Sequence, residues 1–349
     1  MSRVLYEQND FPILQNRVYE TFGQASNCPR GDIRIIEDKH TGLIYNDLFD
    51  SELIQYDSNY NNEQGISPFF RQHLSQVKEI LLRNLGNKDL VEVGCGKGRF
   101  LEILLADGFE ITGFDPTYEG NNPRVVKEYF KPGVLKPSRG LVLRHVLEHV
   151  PNPYNFLSDL RDANGGSGLI YIEVPCFDWI CNNRAWFDVF YEHVNYFRMT
   201  DFFKMFSRIQ SSGKLFGDQY LYVVADLKSL TKPTYQRKDA ILFPDNFLES
   251  LFSSEQVTNT GNGIAWGGAS KGVIFSLLRE RIGKPIRAVV DVNPAKQEKF
   301  LPVTGLKVLS VEEVISQFPV DTMVYVMNSN YLDEIRMMSK NRFHYRLVD

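Results

Sequence analysis

The chain has 349 residues, 43% hydrophobic and 23% charged, enough apolar content for one large core or two ordinary ones. Its 39 basic and 43 acidic side chains leave a formal charge of -4, so no general attraction to nucleic acid or to an anionic membrane is expected. No apolar run is long enough to span a bilayer, the first ten residues lack a signal-peptide core, and the four cysteines (Cys28, Cys95, Cys176, Cys181) are too scattered for a disulfide framework, which points to a reducing cytoplasm.

Residues 1–66 show no clean periodicity and read as an irregular N-terminal region with short strands, such as one over 42–45. A helix then opens with Ser67 as cap and Pro68 in its first turn. Phe70, Leu74, Val77 and Leu81 fall on one face, and Gly86 stops it. From Asp89 strands and helices alternate: strands over 90–93, 109–114, 140–143 and 169–172, with helices through Phe100 to Leu104 and over 153–160. This order predicts a parallel, doubly wound α/β sheet. Residues 214–216 and 219–225, joined across Gly217 and Asp218, read as an antiparallel pair at its edge. The Rossmann-like middle domain is thus expected over 67–228, with a polar linker over 229–256 containing a helix after Pro244. A second small Rossmann-like α/β domain follows over 257–349, with strands over 263–266, 286–291 and 322–327.

The most informative segment is Val91-Glu92-Val93-Gly94-Cys95-Gly96-Lys97-Gly98-Arg99, between a strand and a helix. There a ligand can approach the backbone and meet a helix N-terminus. The third glycine of a dinucleotide motif would fall at Arg99, so the pattern is G-x-G-x-G preceded by Glu92. The next strand closes on Asp115-Pro116, where a carboxylate can take hydrogen bonds from both ribose hydroxyls. A dinucleotide site, or a tight turn that binds nothing, remains an alternative reading of these residues.

Two histidine motifs lie beyond strand ends. His145-Val-Leu-Glu148-His149 matches the H-x-x-E-H of certain zinc peptidases. It sits between a strand and Pro151, however, so the two histidines are not expected to share a rigid helix face, and no metal site is expected. Phe190-Tyr191-Glu192-His193 sets an acid beside a histidine under aromatic cover, which suits a general base. A Glu-His pair with a purely structural role is the alternative.

The glycine loop with Glu92 and Asp115 resembles the class I S-adenosylmethionine (SAM)-dependent methyltransferases. By that resemblance Glu92, Gly94, Cys95, Gly96, Gly98, Asp115 and Pro116 line the cofactor site. More narrowly, the chain resembles the bacterial nucleotide-sugar C-methyltransferases, on six segments in order: Glu92-Val-Gly-Cys-Gly-Lys-Gly98, His149-Val-Pro151, Phe190-Tyr-Glu-His-Val-Asn-Tyr-Phe197, Gly268-Ala-Ser-Lys-Gly272, Asp291-Val-Asn-Pro-Ala-Lys-Gln297 and Ser329-Asn-Tyr-Leu-Asp-Glu-Ile335. The resemblance implies C-methylation beside the ketone of a nucleotide-linked keto-sugar. It makes His193 the base, Glu192 its orienting partner and His149 a donor across the pocket. Tyr60, Phe190, Tyr191, His145 and Lys271 are then expected to touch substrate, Lys271 by adding charge at a phosphate. Two departures stand out. Phe190 replaces the tyrosine that opens the family's Y-x-E-H segment, and with only Cys28 before residue 95 the usual N-terminal zinc module of two cysteine pairs cannot form. The N-terminal region is therefore expected to be a metal-free cover over the pocket. O- or N-methylation of a small polar metabolite, or a non-catalytic SAM-binding subunit, are the alternative functions. The sequence does not distinguish a monomer from a homodimer.

Overall fold

The computed structural model describes residues 2–55, 67–252 and 263–349. The N-terminal region is more regular than its sequence suggests. Strands β1 (Arg3–Pro12) and β2 (Arg30–Glu37) pair antiparallel, with the short helix α1 (Phe22–Ser26) between them, and β3 (Ile44–Asn46) adds to β2. The expected strand over 42–45 thus belongs to a sheet, and the ten-residue β1 was not anticipated.

Helix α2 (Pro68–Asn84) opens on Ser67, whose Oγ accepts from Phe70 N, and buries Phe70, Leu74, Val77 and Leu81. The central sheet then forms as the alternation predicts. Strand β4 (Leu90–Val93) leads through the glycine loop into α3 (Arg99–Ala106); β5 (Ile111–Phe114), the short β6 (Val125–Val126), β7 (Gly140–Arg144), α4 (Pro153–Ala163) and β8 (Leu169–Pro175) follow. After α5 (Phe177–Asn182) the chain gives the two-residue strand β9 (Asn195–Tyr196) to the N-terminal sheet, beside β3. It then passes through α6 (Met199–Met205) into the hairpin β10 (Ile209–Leu215) and β11 (Tyr220–Asp226). The seven-strand order is β10-β11-β8-β7-β4-β5-β6; only the contacts made by β11 are antiparallel, as expected for the edge pair. The strand order reverses between the parallel neighbours β4 and β7, which opens a crevice beyond their C-terminal ends.

Residues 229–252, expected as a polar linker, are largely exposed but also dock on the rest of the chain. They carry the short helix α7 (Glu249–Phe252) and lie against the N-terminal sheet, where Ile241 N donates to Glu37 Oε1 at 2.9 Å and Arg3 donates to Ile241 O. The C-terminal unit is a five-stranded parallel sheet: β12 (Ile264–Trp266), β13 (Ala288–Val290), β14 (Val308–Leu309), β15 (Met323–Val326) and β16 (His344–Leu347), in the order β14-β13-β12-β15-β16. This is a second Rossmann-like arrangement, with α8 (Ser270–Arg281) leaving β12 through the Gly267–Gly268 turn. One hydrophobic cluster runs through all three sheets, joining Phe11 and Ile33 to Leu141 and Ile172 and on to Ala265 and Val289. No helix among the described residues is long and apolar enough to cross a membrane.

Candidate active site

The glycine loop leaves β4 with positive φ at Gly94, Gly96 and Gly98 (72°, 54° and 75°), a region that side chains disfavour. A Cβ on Gly94 would come within 2.5 Å of Val146, so packing also requires glycine there. A Cβ on Gly96 would meet nothing within 4 Å, so the loop faces open room at that point. Asp115, at the end of β5, accepts from Gly96 N at 2.8 Å with one oxygen and from Thr117 N and Oγ1 with the other. Its carboxylate is therefore fixed beneath the loop, with Pro116 exposed beside it. Cys95 is half-buried; burial, followed by the charges of Glu92 and Asp115, raises its thiol pKa, so it is no nucleophile. Glu92 is buried, and its Oε2 has no hydrogen-bond partner among the described residues. Burial pushes its carboxyl up to about 7 against the pull of Arg144, with Asp115 adding to the rise.

Across the crevice, sequence reasoning missed a polar hub on Glu173, near the end of β8. One fully buried carboxylate takes His73 Nε2 at 2.9 Å, His145 Nε2 at 3.0 Å, Arg144 Nη2 at 3.3 Å and Tyr171 OH at 2.6 Å. Burial alone would raise its pKa; Arg144 and the two imidazoles outweigh that and hold it well below the usual carboxylate range. The sequence signal available was an acid in an otherwise apolar strand, two residues after a tyrosine. His145 has φ 51° and spends both ring nitrogens on carboxylates, Nε2 on Glu173 and Nδ1 on Glu148 at 3.3 Å. These partners overcome burial and raise its pKa to about 9. The expectation that His145 binds substrate is corrected: it is an imidazolium inside an ion network.

Leu147–His149 form one 3-10 turn, so the H-x-x-E-H residues do not lie on a regular helix face. His149 Nδ1 lies 2.9 Å from Glu192 O and must donate to that carbonyl. In the neutral ring Nε2 then carries the lone pair. His149 therefore does not stand opposite His193 as a donor; the two rings meet edge to face, 4.9 Å apart. Phe190 also packs edge to face on His193, at 4.8 Å. The His193 side chain makes no hydrogen bond among the described residues. Burial, then the neighbouring His149 and His145, hold its pKa well below the ordinary value, and the ring is neutral at physiological pH.

Glu192 does not orient His193. Its Oε1 accepts from Gln15 N at 2.8 Å, tying it to the N-terminal region. Tyr191 likewise turns away into the N-terminal sheet, where its OH accepts from Asp50 N at 3.0 Å and its ring packs on Phe49, so it is not a substrate contact. The chain bends at these two residues, and β9 begins two residues beyond His193. Lys271 is not available for a phosphate in this arrangement. Its Nζ pairs with Asp188 at 3.1 Å, donates to Gln219 Oε1 and stands over the Trp179 ring. Tyr60 lies outside the described residues.

Residues 69–210 match a family model described as a methyltransferase domain. The middle of the chain is thus similar to a methyltransferase domain. The solved structures similar to the methyltransferase include the 1,6-didemethyltoxoflavin-N1-methyltransferase of Burkholderia thailandensis with bound 1,6-didemethyltoxoflavin and S-adenosylhomocysteine (16% identity, 44% of this chain and 77% of that one, TM-score 0.35). They also include the N-methyltransferase NodS of Bradyrhizobium japonicum WM9 with S-adenosylhomocysteine (14% identity, 49% and 92%, TM-score 0.36) and the PH0226 protein of Pyrococcus horikoshii OT3 (11% identity, 49% and 99%, TM-score 0.38). No curated protein matches the sequence. The residues present fit SAM, the cofactor that the sequence resemblance implies: room over Gly96, a fixed carboxylate at Asp115, and at Glu92 an unmatched buried oxygen that a cationic ligand would satisfy.

Proposed function

We propose that the methyltransferase acts on a carbon of a nucleotide-linked keto-sugar, with His193 as the base. The observation that carries this is a neutral imidazole packed against Phe190 and His149, beyond the sheet's C-terminal end, with no hydrogen bond to occupy its lone pair. Hydrogens next to a carbonyl are acidic enough for such a base to remove one as electrons move onto the carbonyl oxygen. Bound SAM supplies an electrophilic sulfonium methyl. Glu92, Gly94, Cys95, Gly96, Gly98, Asp115 and Pro116 hold it against the carbon that His193 deprotonates, and positioning provides much of the rate. Glu192 and His149 act on His193 through packing, Glu192 by anchoring the bend to Gln15. The C-terminal sheet closes the nucleotide side, with Lys271 and Asp188 joining the two units.

Phe190 favours a second reading. Where the resembled family has a phenol, this chain presents a bare ring to His193, and an O- or N-nucleophile needs no stabilised enolate. Incubation with SAM and a panel of nucleotide-sugars in deuterated water separates the two. Carbon methylation gives exchange of the hydrogen next to the carbonyl and a new C-methyl NMR signal. A methylated product lacking both moves the assignment to oxygen or nitrogen.

The cofactor assignment has its own test. Asp115→Ala is expected to weaken SAM binding by about tenfold or more in calorimetry, because charge-assisted hydrogen bonds are each worth roughly 1.5–3 kcal/mol. Unchanged affinity removes Asp115 from the cofactor site.

A further inference from the structure

From the side chains that meet at the end of β7, we infer that Glu148, His149 and His193 form a three-ligand site for a divalent cation of the zinc class. One ligand atom from each lies within 4.8 Å of the other two. Ligands about 2.1 Å from a tetrahedral ion stand roughly 3.4 Å apart, so the side-chain tips need to close by little more than an ångström.

Three further observations point to an ion. Glu148 is 1% exposed, and its Oε2 has no partner, although Oε1 is held by His145. A buried carboxylate oxygen without a donor is costly, and a cation is the partner that removes that cost. His149 gives its Nδ1 proton to a backbone carbonyl, the arrangement that fixes a metal-ligating histidine with its other nitrogen free to coordinate. His193, edge to face with His149, has no competing hydrogen bond among the described residues.

The donor set selects the ion. Two imidazoles and one carboxylate suit zinc and its first-row neighbours, whereas calcium and magnesium prefer all-oxygen shells. Three protein ligands also leave one position open, as in reactive rather than structural zinc sites. His145 engages only Oε1 of Glu148, which leaves Oε2 for the ion. The residues differ from the H-x-x-E-H pair. His145 is excluded because both its nitrogens are taken, and His193 comes from 44 positions further along the chain than His149.

One consequence rests on the function proposed above. An ion on His193 occupies the lone pair that would accept the substrate proton, so the loaded protein is silent in methyl transfer. Zinc and proton abstraction then compete for one imidazole.

The test is a zinc titration of the chelator-stripped full chain, in competition with a chromophoric chelator. One ion per chain is expected, with Glu148→Gln and His149→Gln each weakening it at least tenfold; SAM calorimetry on each variant reports its folding. Zinc affinity equal to wild type in both variants, or no ion bound by wild type, overturns the site. If the variants do not fold, cobalt(II) bound to wild type decides: nitrogen and oxygen ligands give visible ligand-field bands alone, and a thiolate charge-transfer band would assign the ion to cysteine and overturn the inference. Stoichiometric zinc is expected to stop turnover, and turnover intact with the ion bound overturns the competition. Ion binding is read without turnover, so its failure is distinct from failure of His193 as the base.

Discussion

Replacing His193 with glutamine is expected to lower methyl-transfer turnover by about 10²–10⁴-fold, the usual worth of a positioned general base, while SAM affinity stays within about twofold. The argument is one of geometry and of protonation. The ring packs edge to face against both Phe190 and His149, so its position is defined, and it is neutral across the physiological range because burial, then His149 and His145, disfavour its charged form. Glutamine keeps a polar group of similar reach but has no basic nitrogen lone pair to take the proton. The effect should fall on kcat more than on KM, since the interaction is made in the transition state. Wild-type turnover in this variant would sink the assignment.

Glu92→Gln should have opposite effects on stability and on cofactor binding. Burial sets the folded pKa of Glu92 at about 7, above the ordinary carboxyl value near 4.5. The folded state thus keeps the proton that the unfolded chain has already lost. Stability from this group is complete below about pH 4.5, falls as the pH rises toward 7, and stays low above it, by about 3 kcal/mol in all. The ligand-free glutamine variant is therefore expected to melt several degrees higher than wild type at pH 8 and to match it near pH 4.5. SAM binding should change the other way. If a positive ligand is held by ionised Glu92, wild-type affinity falls as the pH drops below 7, by up to about tenfold per unit, and the variant binds weakly at every pH. A variant that melts lower at pH 8 and binds SAM like wild type would show that Glu92 has neither role. Such a carboxylate illustrates stability given up where a ligand is to bind.

The central sheet was readable because its signals are local. Glycines at positive φ, an acid closing the second strand and Gly217-Asp218 between two β-rich runs each sit within a few residues of the feature they specify. The N-terminal sheet was not, because its pairing is remote: β3 and β9 each contribute two or three residues, about 150 positions apart. Within the site, His193 was legible as an imidazole under aromatic cover, but Glu192 was misread by adjacency. A bend at Tyr191 and Glu192 sends both side chains to the N-terminal region, where Asp50 N and Gln15 N supply donors that no local pattern announces. The Glu173 hub escaped for the same reason, since its partners come from α2, β7 and the turn after it. The fate of Lys271 was set by Asp188, 83 residues earlier.

The two-residue strand β9 bears on how this protein can be divided. It begins two residues after His193 and is the strand that the central part of the chain adds to the N-terminal sheet. Cutting the chain before α2 would strip β9 of its neighbour, leave the Tyr191 ring without its socket at Gly31 and Phe49, and take from Glu192 the donor at Gln15 N. The segment matched by the methyltransferase family model, 69–210, thus depends for its packing on residues that lie outside it. His193 lies in a segment anchored by residues outside the matched range, at Gln15, Phe49 and Asp50, so substitutions in the N-terminal sheet can reshape its surroundings without touching the ring.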